Sequence, residues 1–439
     1  MSKDKTRVQP PRGTRDLFED DLKKIEFVIS VISRVARSYG FTRVDTPVLE
    51  HLDVFSLTSP VDLEKCYIFQ DKSGRDLILR PDINAPLSRV VVNNFLSNPL
   101  PIKLFFVDKV FRYRHSLKRE FRMLGLENFG VSGPQADAEI VKLTADILEE
   151  IGFSEYEVEY NNLQIYHKYL KESLTSHGLS IDSSKLLYDL RFAKSLEGKL
   201  SLLSSCGLSK GEIDLFAEMI CQEKDSDSYS VLEKVASRSE VLGEELAATK
   251  AFRDSLAAYG LRGLRLNLSN LHGTGFYSGL AYRIRLDGIS QEIADGGRYD
   301  NFVECLSGKQ LPGTGLGLGI ERLIKAAENQ NIRLAEKTGE NGILIASDEQ
   351  AMIAIIPLLK SLRSHGQPVE IDLSRQKRSH SIRYGRFKGY KYAVFIASHA
   401  VHSQALTLDI VRLTGEECSE KIKVENVKQL FASLKKILS

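Results

Sequence analysis

The stretch GTGLGLGIERLIKAAEN, residues 313–329, decides the fold. Its glycines at 313, 315, 317 and 319 are spaced by two, so an extended chain lines them along one face. Something flat could lie on such a side-chain-free surface. From Ile320 onward the spacing turns helical, so the strand runs into a helix that carries Arg322. The register is GxGxGxG and lacks the GxGxxG of a dinucleotide-binding turn, which excludes a Rossmann phosphate loop.

Outward from this stretch the chain alternates between strand and helix signals. Residues 20–39 repeat apolar positions at helical spacing and stop at Gly40. FTRVDTPVLE (41–50) is β-rich and interrupted by Pro47. CYIFQDKSGRDLILRP (66–81) reads as two strands around an Asp-Lys-Ser-Gly turn. KLFFVDKVFRYR and REFRMLGLENFG (103–114 and 119–130) form an antiparallel pair around a basic loop, and ADAEIVKLTADILEEIG is an amphipathic helix ended by Gly152. Residues 165–262 turn to short Ser/Leu/Lys-rich helical segments, an inserted helical subdomain. Strands return over 263–300. After the polar stretch NQNIRLAEKTGEN, residues 342–439 alternate strand and helix, predicting a small α/β unit with a mainly parallel sheet. Its elements are GILIAS, EQAMIAIIPLLKSLRSHG, PVEIDL, YAVFIAS and a final helix NVKQLFASLKKIL.

A chain of 439 residues is long enough for two or three units. Apolar residues at 42% and charged residues at 27% are ordinary for a soluble globular protein. The N-terminus lacks the apolar core of a secretory signal and reads as uncleaved, and no apolar run spans a membrane, which predicts a cytoplasmic protein. Five scattered cysteines without a CxxC pair argue against both a disulfide framework and a zinc site, so no structural metal is expected. A net charge of +2 means that any nucleic-acid surface must come from local clustering.

Four stretches can carry chemistry. FRYRHSLKREF (111–121) crowds Arg112, Arg114, Lys118 and Arg119 at a strand–loop–strand, either a solvated basic loop or a clamp for phosphate oxygens. Asp82, in Leu79-Arg80-Pro81-Asp82, either caps the helical segment that follows or presents a carboxylate at a strand end. Gly296-Gly297-Arg298-Tyr299-Asp300 either turns the chain or lets backbone approach a ligand. The fourth is the glycine strand with Arg322.

Read in order, these segments resemble the three motifs of class II aminoacyl-tRNA synthetases, and specifically the histidyl-tRNA synthetase family. PRGTRD (11–16) is similar to that family's N-terminal signature. GFTRVDTPVLE with Pro47 is similar to motif 1, which builds a dimer interface, VFRYR…REFRMLGLENFG to motif 2, and GTGLGLGIERL to motif 3. LRPD, GGRYD, IFQDKSGRDLILRPD and the ADAE of 136–139 are the more specific matches, and together the resemblance covers essentially the whole chain. It implies an α/β (α+β) fold: an antiparallel-sheet catalytic core over 1–331 with the helical insertion at 165–262 inside it, then an anticodon-binding-like domain at 342–439. It implies ATP and Mg²⁺ as cofactors, histidine and tRNA-His as partners, and a homodimer. By position, Arg112 would hold the α-phosphate, Arg322 the terminal phosphates, and Arg119 would join them at the nucleotide. Asp82 would accept the substrate amino group, with Asn84 beside it. Glu127 would face the histidine side, and Tyr277 and Arg298 would line or support that pocket.

The resemblance breaks in three places. The motif 2 loop is about three residues shorter than the family's, with Arg114 in place of a Glu and Met123 in place of a Gln that bonds substrate; a thioether cannot donate as an amide does. The family's RGLDYYTG is here His272-Gly-Thr-Gly-Phe-Tyr-Ser-Gly279, so His272 stands at the position of an extra catalytic Arg, where a protonated imidazole would compensate in part. Asn84 replaces a Thr. The same losses occur in the family's non-catalytic relative, the histidine-sensing regulatory subunit that partners the ATP phosphoribosyltransferase catalytic subunit, which is the alternative reading. The last domain points back to RNA: Arg375, Lys377, Arg378, Arg383 and Arg386 cluster with interleaved tyrosines 384, 390 and 392, either a solvated basic face or a tRNA-binding surface.

Overall fold

The computed structural model describes residues 9–58, 62–113, 118–193, 195–221, 227–289, 291–334, 342–347, 349–374, 377–396, 406–414 and 419–424. The chain divides into two units, Met1–Leu334 and Ala335–Ser439. The first unit begins with α1 (Glu19–Ser38), β1 (Thr42–Arg43), β2 (Leu49–His51), α2 (Leu52–Thr58), β3 (Tyr67–Gln70), β4 (Asp76–Leu79) and α3 (Asn84–Asn94). The hairpin β5 (Ile102–Phe111) and β6 (Glu120–Phe129) follows, then α4 (Pro134–Ile151) and β7 (Tyr156–Asn162). Six helices come next: α5 (Leu163–Ser176), α6 (Ser183–Phe192), α7 (Leu196–Ser205), α8 (Lys210–Ile220), α9 (Ser228–Ala236) and α10 (Glu240–Ala258). The unit closes with β8 (Leu264–Leu266), β9 (Leu280–Leu286), β10 (Ala294–Arg298), α11 (Phe302–Ser307), β11 (Gly313–Gly319) and α12 (Ile320–Asn329).

Eight strands form one sheet in the order β1-β5-β6-β11-β10-β9-β7-β8. The six central strands pair antiparallel, and only the short edge strands β1 and β8 pair parallel. The period of two divides its faces. Leu124 and Leu126 of β6, Leu316 and Leu318 of β11, and Tyr282 and Ile284 of β9 are buried in one cluster with residues of α1, α4 and α12. Each such leucine contributes about 1.5–3 kcal/mol of burial. The residues between them, Met123, Gly125 and Glu127, then Gly315, Gly317 and Gly319, fall on the opposite face. Gly152 ends α4 in the left-handed conformation at φ 116°, where a side chain would be strained.

The helices of 163–258 do not form a core of their own. Leu186, Leu187 and Leu190 of α6, Leu203 of α7 and Phe216 of α8 belong to the same apolar cluster as Tyr160 of β7 and Tyr282 of β9. The insert is thus anchored on the main sheet, and its side chains can reach the sheet's ligand face.

A small sheet, β2-β4-β3, stands beside β5. Arg80, just after β4, is fully buried and ties the two together. Its Nε donates to Lys109 O at 2.9 Å and its Nη1 to Thr46 O and Oγ1 at 2.6 and 2.7 Å, and it is ion-paired with Asp108. Arg80→Met is expected to cost about 3–5 kcal/mol in denaturant unfolding, because it leaves those acceptors without a donor.

In the second unit β12 (Ile343–Ser347), α13 (Glu349–Ser364), β13 (Val369–Asp372), α14 (Arg378–Phe387), β14 (Tyr392–Ile396), β15 (Leu406–Arg412) and β16 (Ser419–Val424) build a sheet ordered β13-β12-β14-β15-β16. Strands β13, β12 and β14 are parallel, but β15 and β16 add antiparallel. The sheet is therefore mixed, and the sequence reading missed β15, β16 and α14. The expected final helix lies outside the described residues.

Candidate active site

The glycine face of β11 floors two adjoining cavities. One, of about 380 Å³, is lined by Asp82, Asn84, Arg112, Arg191, His272, Phe276 and Tyr277, with Asp62, Lys65 and Cys66 at its side. The other, of about 500 Å³, is lined by Lys118, Phe121, Glu321, Arg322, Lys325 and Asn329, with Gly288 and Ile289. Arg112, Met123, Asp295 and Gly317 line both, so they mark the junction.

Glycine is required at 315 because Glu127 lies against it. The two are register partners across β6 and β11, and a Cβ at 315 would stand 1.9 Å from Glu127 Oε2 and 2.7 Å from the Tyr299 hydroxyl. Glu127 is 1% exposed and its Oε2 has no hydrogen-bond partner. Burial, then the charge of Asp82, push its carboxyl well above the usual range. Asp82 stands just before α3, where the backbone N–H groups of Ala85 and Asn84 favour its charged form, while its Oδ1 is buried without a partner. Burial raises this carboxyl too, against the lowering effect of Arg112. Glu127 lines neither cavity but packs against Gly315 of the smaller one's floor, so it and Asp82 each hold an open acceptor atom there, and the pair favours a cationic or N–H-rich ligand.

Arg112 follows β5, donates from Nε to Pro81 O at 2.7 Å and rests over the Phe121 ring at 5.6 Å. That leaves its other nitrogens facing the junction. Arg322, in the first turn of α12, donates from Nη1 to Glu292 O at the wall of the larger cavity. Tyr277 lines the smaller cavity, its ring seated against Gly273 and Gly297, and burial raises its phenol so that it stays a donor. Asn84, at the head of α3, reaches the same cavity. Burial pushes the Cys66 thiol up to about 11, so it is not a nucleophile near neutral pH.

Three expectations change. His272 lines the cavity, but burial, then the charges of Arg283 and Arg191, push its imidazole down to about 4, so near neutral pH it cannot replace a cation. Arg298 does not line either cavity. It is buried on the other face, bonded to Asp137 Oδ2 at 2.5 Å and to the carbonyls of Val131 and Gly133 at 2.9 and 3.0 Å. Its work is to hold α4 against β10. Arg119 does not line them either; its guanidinium lies 4.3 Å over the Tyr113 ring. Arg114 lies outside the described residues. Sequence reasoning missed Asp295, whose side chain is 40% exposed at the junction, as well as Arg191 and Lys65.

In the second unit, Lys377, Arg383 and Arg386 are exposed at and along α14, and Arg378 is paired with Asp409 and stacked on Phe395. Arg375 lies outside the described residues. Of the interleaved tyrosines, the Tyr384 and Tyr390 hydroxyls both donate to Glu370, and Tyr392 is buried. Among the described residues no group of three ligating side chains could cage a metal, and no helix is long and apolar enough to cross a membrane.

A six-stranded antiparallel sheet flanked by parallel edges, with a glycine strand and two arginines facing paired cavities, is the catalytic architecture of class II aminoacyl-tRNA synthetases. Solved structures share the fold. A Nostoc histidyl-tRNA synthetase matches with a TM-score of 0.73 at 19% identity over 98% of this chain and 100% of that one. A Bacillus halodurans ATP phosphoribosyltransferase regulatory subunit/histidyl-tRNA synthetase matches with 0.74 at 22% identity over 89% and 99%. The family model for histidyl-tRNA synthetase matches residues 13–323, and the chain belongs to that family. The histidine–tRNA ligase of Pyrococcus horikoshii is 30% identical over 435 residues, 97% of this chain and 99% of the relative. That of Pyrobaculum arsenaticum is 30% identical over 93% and 96%. Enzymes of this family use ATP and Mg²⁺ and take histidine and tRNA as substrates.

Proposed function

We propose that this chain is a histidine–tRNA ligase, which activates histidine with ATP and passes it to tRNA-His. The observation that carries the reading is the pair of open buried acceptors, Asp82 Oδ1 in the lining of the smaller cavity and Glu127 Oε2 packed against its Gly315 floor, with Tyr277 in the same lining. Asp82 takes the ammonium of the amino acid, and Glu127 with Tyr277 takes the imidazole. ATP fills the larger cavity, its terminal phosphates on Arg322 and its α-phosphate on Arg112 at the junction. Mg²⁺ enters as the counterion of the nucleotide. The histidine carboxylate then attacks the α-phosphorus in line, the bond to pyrophosphate breaks, and Arg112 neutralises the charge that builds on the phosphoryl oxygens. In the second step a ribose hydroxyl of tRNA-His attacks the acyl carbon and AMP leaves. Lys377, Arg383 and Arg386, with Arg375 and Arg378, supply phosphate contacts for the tRNA. The family's dimer through the motif 1 segment, and a cytoplasmic location, belong to the same reading.

ATP–pyrophosphate exchange tested with each amino acid is expected to run with histidine alone. Met123 and the neutral His272 favour one competing reading, a histidine-binding regulatory partner of an ATP phosphoribosyltransferase catalytic subunit. Histidine binding without exchange, together with capture of that subunit, would establish it instead.

A further inference from the structure

The inserted helices deliver one cation to the amino-acid cavity. Arg191, in the last turn of α6, is half-buried and lines that cavity. Its Nη1 donates to Thr274 O and its Nη2 to His272 Nδ1, both at 3.3 Å. Neither partner is an anion. With Nδ1 accepting, the neutral imidazole carries its proton on Nε2, which faces Asp295 Oδ2 at 4.0 Å. The influences on Arg191 are burial, Tyr188 and the like charge of Arg283, with no carboxylate among them. A guanidinium drawn out of water without an acid awaits an anion, and its forked donors suit a carboxylate. The cavity's other cations are committed: Lys65 is paired with Asp62 at 2.6 Å, and Arg112 sits at the junction with the nucleotide side.

We propose that Arg191 binds the carboxylate of the amino-acid substrate, with His272 as the positioning residue that aims it; this rests on the reading of the cavity as a histidine site. The ammonium and ring then lie toward Asp82 and Glu127, and the carboxylate lies toward Arg191 and the junction, where the α-phosphorus must come. The departure at position 272 is thereby explained, since a smaller neutral acceptor admits an arginine from another element. Packing of α6 onto the main sheet's core is what brings Arg191 to the site.

Titration calorimetry on the full chain with L-histidine and with L-histidinol, which has the same ring and amine but no carboxylate, tests this. Arg191→Gln is expected to weaken histidine by about tenfold or more and to leave histidinol within about twofold. Arg191→Lys should recover part of the histidine affinity. Equal loss for both ligands would mean that Arg191 only braces the Thr274 loop, and no loss would mean that the carboxylate lies elsewhere; either overturns the assignment. A wild-type chain that binds neither ligand would instead sink the histidine-site reading, and this assignment with it.

Discussion

Arg112→Gln is expected to lower histidine-dependent ATP–pyrophosphate exchange by about 10²–10³-fold, with the fold intact. The side chain's Nε bond to Pro81 O and its place over Phe121 fix it before any ligand arrives. Its charge therefore costs no reorganisation at the moment when negative charge grows at the junction of the two cavities. A glutamine keeps a donor but loses the charge and the fork. Because the attacking carboxylate and the α-phosphate meet only in the transition state, the loss should fall mainly on kcat, with a smaller rise in the KM for ATP. Steady-state exchange at varied ATP checks this. A fall of less than about tenfold would mean that Arg112 is not the group that neutralises the α-phosphate.

Glu127→Gln is expected to stabilise the protein while weakening histidine by about 100-fold. The unliganded protein holds this carboxyl buried, without a partner for Oε2 and near the charge of Asp82, so ionising it is costly in the folded state. The folded chain consequently binds the proton more tightly than the unfolded chain. The stability that goes with the proton is fully present below the ordinary value of 4.5 and is lost as pH rises from there through the elevated folded value. The amide does not ionise, so the gain in Tm of Glu127→Gln over wild type should be near zero at pH 4 and should widen toward pH 8. Thermal melts across that range, with and without saturating histidine, read both halves. Histidine should close the gap by stabilising the wild type more, since its ring N–H supplies the missing partner. A variant that is less stable at pH 8 would mean that Glu127 is ionised and satisfied in the unliganded protein.

Most of the site's geometry was legible from one parity. Glycines at 313, 315, 317 and 319 put every even neighbour on the core face, and pairing across β6 and β10 carries that parity to Glu127 and Asp295. The same parity turns Arg298 away from the site, because it neighbours Gly297 and pairs with Thr314. Motif resemblance places Arg298 at or behind the pocket, whereas strand alternation turns it to the core face and puts Asp295 on the site face. Arg191 had no comparable signal. It lies 81 residues before His272, and only the packing of Leu186, Leu187 and Leu190 onto the main sheet's core brings α6 to the cavity. The neutrality of His272 also depends on neighbours, Arg283 and Arg191, that sequence does not bring together. In the second unit, β15 and β16 escaped notice because that region read as a continuing strand–helix alternation. Tyrosines that looked available for base stacking turned out to bond Glu370.

The most direct test of the central claim is charging of a tRNA-His transcript by the full-length chain, followed as histidyl-tRNA on acid gels with ATP, Mg²⁺ and histidine. The proposed function predicts histidine-dependent accumulation of charged tRNA that Arg112→Gln abolishes. No charged tRNA from a folded chain that binds both histidine and ATP would contradict it.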